Sequence, residues 1–519
     1  MTPEQPRGEQ PSADVELAEL AGGGGAVAEP DLGPVAARLV RGSAIYALAN
    51  FGIKALNFFL LPLYTRFLTP ADYGVISLAE TVAAVLATLF GMGLEPGVRR
   101  LFFQYVEDAG ELARYLSSLL RFAVLVSGVV VALSLLAGPA LLRWADPHFS
   151  VPFYPYVAMA IGGVAFSQFV QYRLGLYQAQ ARPRAYGLLA LVFFLLTAAC
   201  AIVLVVVLRW GAYGMLMGKL AAAAAIALVS FWLLRHWLRD AMQWRFVRET
   251  LPLSLPLVPH SLMAVGLVVA DRFILERYRS LDEVGLYSLA YTLGMAMYLV
   301  ALSIGQAWQT IYFDTARTGD PAGRRMLGHL SSSLAVFLSG IGLLGALLAP
   351  DFVRVLDPRY YPIGRLIPWI IGGYLLHAFF GLFNLSALQG KRTQFILFAS
   401  VVAFAGNLAL NLWWVPIWGM YGAAYATLAA YALEALLMYV YAQHVFFLPY
   451  QWGRMVLALA VFAAGLGLTQ LPWRGPLRPL AILAALAAGW TVLWYLGARS
   501  VGGPLLQAVR RLGRSREGT

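Results

Sequence analysis

The stretch TRFLTPADYGVISLAET, Thr65 to Thr81, joins one apolar run to the next through a Thr-Pro corner. It returns as DRFILERYRSLDEVGLYSLAYT, Asp271 to Thr292. Gly74, Ser77, Leu78 and Ala79 match Gly285, Ser288, Leu289 and Ala290 at an offset of 211. Pro152, Ile161, Gly162 and Gly163 match Pro362, Ile371, Gly372 and Gly373 at 210, and Gln180-Ala181-Arg182 matches Gln389-Gly390-Lys391 at 209. Trp210-Gly211-Ala212-Tyr213-Gly214 then matches Trp418-Gly419-Met420-Tyr421-Gly422 at 208. Four matches in order, with a slowly drifting offset, mark an internal duplication.

Composition sets the class of the duplicated unit. The chain is 60% hydrophobic and only 12% charged, with a mean hydropathy of +0.70, which is the composition of an integral membrane protein. Its apolar runs are repeatedly about 20 residues long, enough for a helix to cross roughly 30 Å of hydrocarbon. Satisfying the backbone in lipid then predicts helices. Fourteen spans are expected, at about 43–63, 72–93, 117–137, 153–171, 186–208, 212–234, 252–270, 283–305, 327–349, 363–383, 394–414, 420–441, 453–470 and 479–497.

The halves, 43–234 and 252–441, thus hold six spans each. An even number returns the chain to the side it entered from, so the copies are expected to be parallel repeats related by an axis along the membrane normal. Two extra helices follow in 453–497. Residues 1–42 read as a disordered acidic cytoplasmic tail and 498–519 as a basic one. Lys and Arg concentrate in the segments that are cytoplasmic if the N-terminus is inside, among them Arg99, Arg100, Arg235, Arg239, Arg245, Arg248, Arg324 and Arg325. The net charge of +12 is therefore topology signal and attraction to anionic membrane lipids rather than a nucleic-acid footprint. Cys200 reads as a small packing residue. A parallel duplication is a common transporter plan, with a site between lobes that rock in alternating access.

Three stretches also carry a resemblance: PLYTRFLTPADYGVISL at the first corner, DRFILERYRSLDEVGLYSLAYTLG at the seventh, and GKRTQFILFASVVAFAGNLALNLWWVPIWGMYGAAYATL near the end. Over roughly residues 40 to 445 the chain resembles the Wzx-type polysaccharide or oligosaccharide flippases of the multidrug/oligosaccharidyl-lipid/polysaccharide exporter superfamily. The resemblance implies a bundle of six plus six helices around a central cavity lined by the first, second, seventh and eighth spans. It also implies a flippase that moves an undecaprenyl-diphosphate-linked oligosaccharide from the inner to the outer leaflet of the bacterial plasma membrane.

A cavity for a lipid diphosphate needs cations at membrane depth, where charge is costly and so scarce. Lys54, near the middle of the first span, is the foremost candidate, against a structural ion pair. Lys219 lies close enough to the outer end of its span to snorkel. Glu80 and Glu434 are candidates for carrying a coupling proton or Na+, against neutral packing between helices. Asp271 and Arg272 are read as an interfacial pair at the outer end of 252–270. Aligning Arg66-Phe67 with Arg272-Phe273 makes His260 the counterpart of Lys54. Counting residues puts Lys54 and Glu80 roughly 12–14 Å below the outer surface, so they are expected to pair and to exchange with the diphosphate. Glu95 to Tyr115 reads as an amphipathic interfacial helix.

No GxxxxGK[ST] stretch and no Cys/His metal spacing is present, so neither a cofactor nor direct ATP drive is expected. Two rivals remain. A polymerase or ligase would need a long external platform, whereas the longest outer connection is about fifteen residues, Ala349 to Pro362. Efflux of cationic drugs would favour an acidic cavity.

Overall fold

The structure is a computed structural model that describes residues 52–91, 105, 108–180, 182–234, 242–255, 257–317, 320–390 and 394–471. Among these the chain forms α1 (Ile53–Phe67), α2 (Pro70–Gly91), α3 (Ala109–Ala145), α4 (Ala158–Ala179), α5 (Pro183–Ala201), α6 (Gly211–Leu234) and α7 (Trp244–Ser254). It continues through α8 (Leu257–Tyr278), α9 (Leu281–Ala316), α10 (Pro321–Phe352), α11 (Ile367–Gln389), α12 (Gln394–Trp418), α13 (Met420–Val445) and α14 (Trp452–Gln470). Eleven helices of the described residues are long and apolar enough to cross a membrane; the chain is a multi-pass, all-α membrane protein. The span expected at 479–497 lies outside the described residues.

The helix starts follow from local chemistry, and the duplication repeats them. Thr69 and Asp72 form a reciprocal capping box at α2: Asp72 Oδ2 accepts from Thr69 N at 2.9 Å and Thr69 Oγ1 accepts from Asp72 N at 3.1 Å. Ser280 accepts from Glu283 N at 3.3 Å to open α9. Each acid also reaches a second helix, because Asp72 Oδ1 accepts from Ala212 N at 3.2 Å and Glu283 Oε2 from Met420 N at 3.1 Å. The first corner is thereby stitched to α6 and its copy to α13. The approach requires Gly211 and Gly419, both at φ +56°, where an L side chain is strained and would also meet the carboxylate.

The packing pattern is duplicated as well. In the first half α1 packs on α5, α2 on α3, α4 and α6, and α6 on α4 and α5. In the second, α8 packs on α12, α9 on α10, α11 and α13, and α13 on α11 and α12. α14 docks on α10 and α11.

The halves meet where α2 crosses α9. Ser77 Oγ lies 2.6 Å from Ser288 Oγ, a contact between two equivalent residues. A Cβ on Gly74 would overlap the Leu281 carbonyl, and one on Gly285 would overlap the Pro70 carbonyl. Leu281 is the equivalent of Pro70, so the contact is reciprocal, as at a twofold interface. Residues toward the start of one helix meet residues toward the start of the other, so the two run in the same direction. Both glycines thereby let the two halves approach closely.

Two reciprocal ties lie at the same end. Ser150 N donates to Glu276 Oε1 at 2.7 Å, with Arg277 Nη1 3.1 Å from Asp146 Oδ1. Tyr360, the equivalent of Ser150 and fully buried, donates to the Leu68 carbonyl at 2.8 Å. The connection between α10 and α11 that holds Tyr360 folds into short 3-10 turns, Val353–Val355 and Pro358–Arg365.

Several boundaries differ from those expected. α3, α9 and α10 have 37, 36 and 32 residues, about 48–56 Å at 1.5 Å each, and extend past the hydrocarbon. The short helix α7 was not expected; Phe246 and Val247 pack it on Tyr115, Leu119 and Phe122 of α3. Tyr105 donates to Glu249 at 2.6 Å, and burial followed by that carboxylate pushes its hydroxyl up to about 12. Most of the amphipathic helix expected over Glu95 to Tyr115 lies outside the described residues, while Tyr115 belongs to α3.

Candidate functional site

A cavity of about 560 Å³ opens beneath the α2–α9 crossing, lined by α1, α2, α5 and α6 from the first half and α8 and α9 from the second. Phe58, Leu61, Phe194, Met215 and Leu289 make its wall largely apolar, and Asn57, Ser77, Glu80, Thr197, Lys219, Arg272 and Ser288 supply the polar groups. The four helices expected to line it do so; α5 and α6 are additions.

Lys219 Nζ forms an ion pair with Glu80 Oε1 on the cavity wall, the two side chains 40% and 41% exposed. The stitched corner explains the register. Asp72 holds Ala212, α2 and α6 start at one end, and Glu80 and Lys219 lie eight and seven residues further on, about 10–12 Å deep. Lys219 was expected to snorkel toward the surface; its partner at the same depth holds it instead. The side chain of Lys54, in the first turn of α1, lies outside the described ones, as does that of His260 in the first turn of α8.

Arg272 was expected at an exposed helix end beside Asp271. α8 runs on to Tyr278, so the pair is internal, with Asp271 1% and Arg272 9% exposed. Arg272 Nε donates to Ser288 Oγ at 3.3 Å and Nη1 to the Val268 carbonyl. Its Nη1 is 3.5 Å from Asp271 Oδ1, and the guanidinium carbon is 5.1 Å from the Tyr291 ring. Tyr287 donates to the other Asp271 oxygen. Partners on α9 therefore make burial of this pair tolerable. Through Ser288 the guanidinium also touches the Ser77–Ser288 contact, so a cation stands at the crossing point of the two halves.

The remaining candidates lie elsewhere. Arg66, in the last turn of α1, is exposed and absent from the cavity lining. Glu434 is buried in the second half between α11, α12 and α13, bonded to His377 and Ser400. Neither of these partners was singled out from sequence, although a His inside an apolar span was the signal available. Cys200 is half-buried in α5, and among the described residues no group of three or more His, Cys, Asp or Glu stands together.

A duplicated membrane chain with a cavity at the seam can now be compared with known proteins. The model of a family described as polysaccharide biosynthesis protein matches residues 39–309. The chain belongs to that family. The match covers the first half and continues through α8 into α9, the helices that frame the cavity. A search of curated proteins finds no match. Among solved structures the fold is similar to "Lipid II flippase MurJ, inward closed conformation", with a TM-score of 0.64 and 14% identity over 89% of this chain and 100% of that one. It is also similar to an inward-facing multidrug resistance MATE family transporter of the MOP superfamily, with a TM-score of 0.56 and 12% identity over 79% and 98%. A MATE structure in the straight conformation gives 0.52 and 13% over 82% and 96%. The shared fold is that of MOP-superfamily transporters.

Proposed function

We propose that the chain is a flippase that turns an oligosaccharide linked to a polyprenyl diphosphate from the inner to the outer leaflet of the bacterial plasma membrane by alternating access. The observation that carries this reading is the placement of Lys219 and Arg272 on the wall of a largely apolar cavity where two similar halves meet. The family supplies the carbohydrate and the MurJ-like fold supplies a precedent for lipid-linked cargo. The ties at the end where α2 and α9 begin support a state closed on that side, which the positive-inside rule reads as the outside.

In this reading the wall is neutral at rest because Glu80 occupies Lys219 and Asp271 accompanies Arg272. A diphosphate displaces Glu80 from Lys219, since two clustered negative charges attract the ammonium more strongly than one carboxylate does. Glu80 then takes a proton while its partner is occupied. Outward release restores the pair and expels the proton. Lys54 remains a proposed further cation for the same guest.

Both rivals fit less well. A drug-efflux pump for cations needs uncompensated acids in the cavity, and the only described acid lining it, Glu80, is already paired. A polymerase or ligase needs an external platform, whereas the longest outer connection folds into short 3-10 turns. The test is a null mutant examined for lipid-linked oligosaccharide. Cargo trapped on the cytoplasmic face supports flipping, while cargo that reaches the outer face but stays unpolymerised points to the enzyme.

A further inference from the structure

The second half holds a buried acid–base pair that the cavity does not use. Glu434 on α13 has a side chain 3% exposed. Its Oε2 lies 3.1 Å from His377 Nδ1 on α11, and its Oε1 accepts from Ser400 Oγ on α12 at 2.9 Å. Three helices converge on one carboxylate at membrane depth, where charge is costly and tends to mark function.

The duplicated chain contains its own control. At the offsets of 210 for α11 and 208 for α13, the first-half counterparts of His377 and Glu434 are Ser167 and Ile226. Ile226 packs there with Val170 and Leu174 in an apolar cluster. The same helix arrangement therefore closes around Ile226 and a serine bonded to its own helix in one half and around an acid and a base in the other. Apolar replacement of a buried ion pair is often neutral or stabilising, so folding alone gives no reason to keep this one.

We infer that His377 and Glu434 together form a second proton-binding site, in the half that does not hold Glu80, through which transport responds to a pH gradient. The inference rests on the transport reading above. With two hydrogens shared between imidazole and carboxyl the pair is neutral; with one it carries a single negative charge. The charge is thus counted for the pair, whichever atom holds each hydrogen. His377 is the accessible member, 28% exposed against 3% for Glu434, so the proton enters through the imidazole. A loaded pair ties α11 to α13 and, through Ser400, to α12. An unloaded pair leaves a net buried charge, which favours the arrangement in which water reaches it. One proton is thereby bound from one side of the membrane and released to the other.

Around the pair, the described groups are mostly tyrosines. Tyr298 of α9 lies 6.0 Å from the His377 ring, Tyr431 of α13 lies 4.7 Å away, and Tyr374 lies 6.2 Å beyond Tyr431. On the other face of α11, helices α10 and α14 carry their described titratable groups near their ends, as Arg324, Arg325, His329 and Asp351 in α10 and Arg454 in α14. α8, which also touches α13, brings Asp271 and Arg272, Glu276 and Arg277. Arg272 connects to the cluster through Tyr291, which lies 5.5 Å from Tyr374.

Two measurements on the full chain test the site separately from the transport reading. In lipid nanodiscs with 15N-labelled histidine, the His377 resonance is identified by its loss in His377→Gln. Its Nδ1 is expected to show the hydrogen bond to Glu434 in the wild type, to lose it in Glu434→Gln and to keep it in Ser400→Ala. A resonance unchanged in Glu434→Gln overturns the site whatever the cargo is. In proteoliposomes, a fluorescent undecaprenyl-diphosphate oligosaccharide is the probe. Wild-type transport is expected to rise with an imposed pH gradient, and that stimulation is expected to be lost in Glu434→Gln while binding of the probe persists. Gradient-driven transport that survives in Glu434→Gln overturns the coupling role. A wild type that binds and moves no probe, with the resonance behaving as expected, faults the cargo instead.

Discussion

Lys219 and Glu80 illustrate how much a single pair depends on its neighbours. At about 40% exposure a pair of this kind contributes roughly 0–1 kcal/mol to stability, so its loss should leave the protein folded. Lys219→Ala is expected to abolish export in cells while the protein inserts at its normal level, Lys219→Arg to keep part of the activity, and Glu80→Gln to weaken the response to pH more than binding. Export and immunoblot signal measured together decide this, and normal export by a well-expressed Lys219→Ala refutes the exchange step. That both residues are rare charges inside spans was legible in the sequence. Their pairing was not, because it depends on Asp72 reaching Ala212 across 140 residues and so levelling two helices. For the same reason Arg272 read as interfacial: the span was ended at an apolar boundary, whereas Tyr287 and Ser288 on α9 allow α8 to carry the charge inside.

Helix ends show the same contrast between local and tertiary information. The Thr69–Asp72 and Ser280–Glu283 caps and the Trp-Gly steps are local and were visible as matched motifs, which is why the duplicated architecture could be read directly. Gly419→Ala places a side chain at φ +56° and against Glu283, and is expected to cost about 1 kcal/mol or more; a lowered melting temperature in detergent is the readout. At the start of α3, Asp108 accepts from the amides of Gly110 and Glu111, which holds its carboxyl below the usual range. A lowered acid contributes stability above its unfolded value, near about 4, and loses it as pH falls through the lowered one. Asp108→Asn is expected to flatten the melting profile in that acid window and to lower the melting temperature near neutrality, where the ionised cap contributes fully. α7 escaped the sequence reading because its eleven residues form too short a helix for hydropathy to find, and its order comes from α3.

At the scale of the molecule, the reciprocal contacts of α2 and α9 tie the two halves together at the end where both helices begin. Equivalent residues meet there, so cysteines at Ser77 and Ser288 in a Cys200→Ala background are expected to cross-link readily and to stop transport reversibly. Failure to cross-link contradicts the parallel arrangement. The repeat told where the cavity must lie, whereas α5 and α6 enter its wall with Phe194, Thr197, Met215 and Lys219. The central claim is that this seam carries a lipid diphosphate through a cavity whose bases hold it. The most direct measurement reconstitutes the purified full-length protein and follows a fluorescent undecaprenyl-diphosphate oligosaccharide as it becomes accessible to a membrane-impermeant quencher. The account predicts transfer between leaflets by the wild type and its loss in Lys219→Ala; equal rates in both, or no faster transfer than in protein-free vesicles, would contradict it.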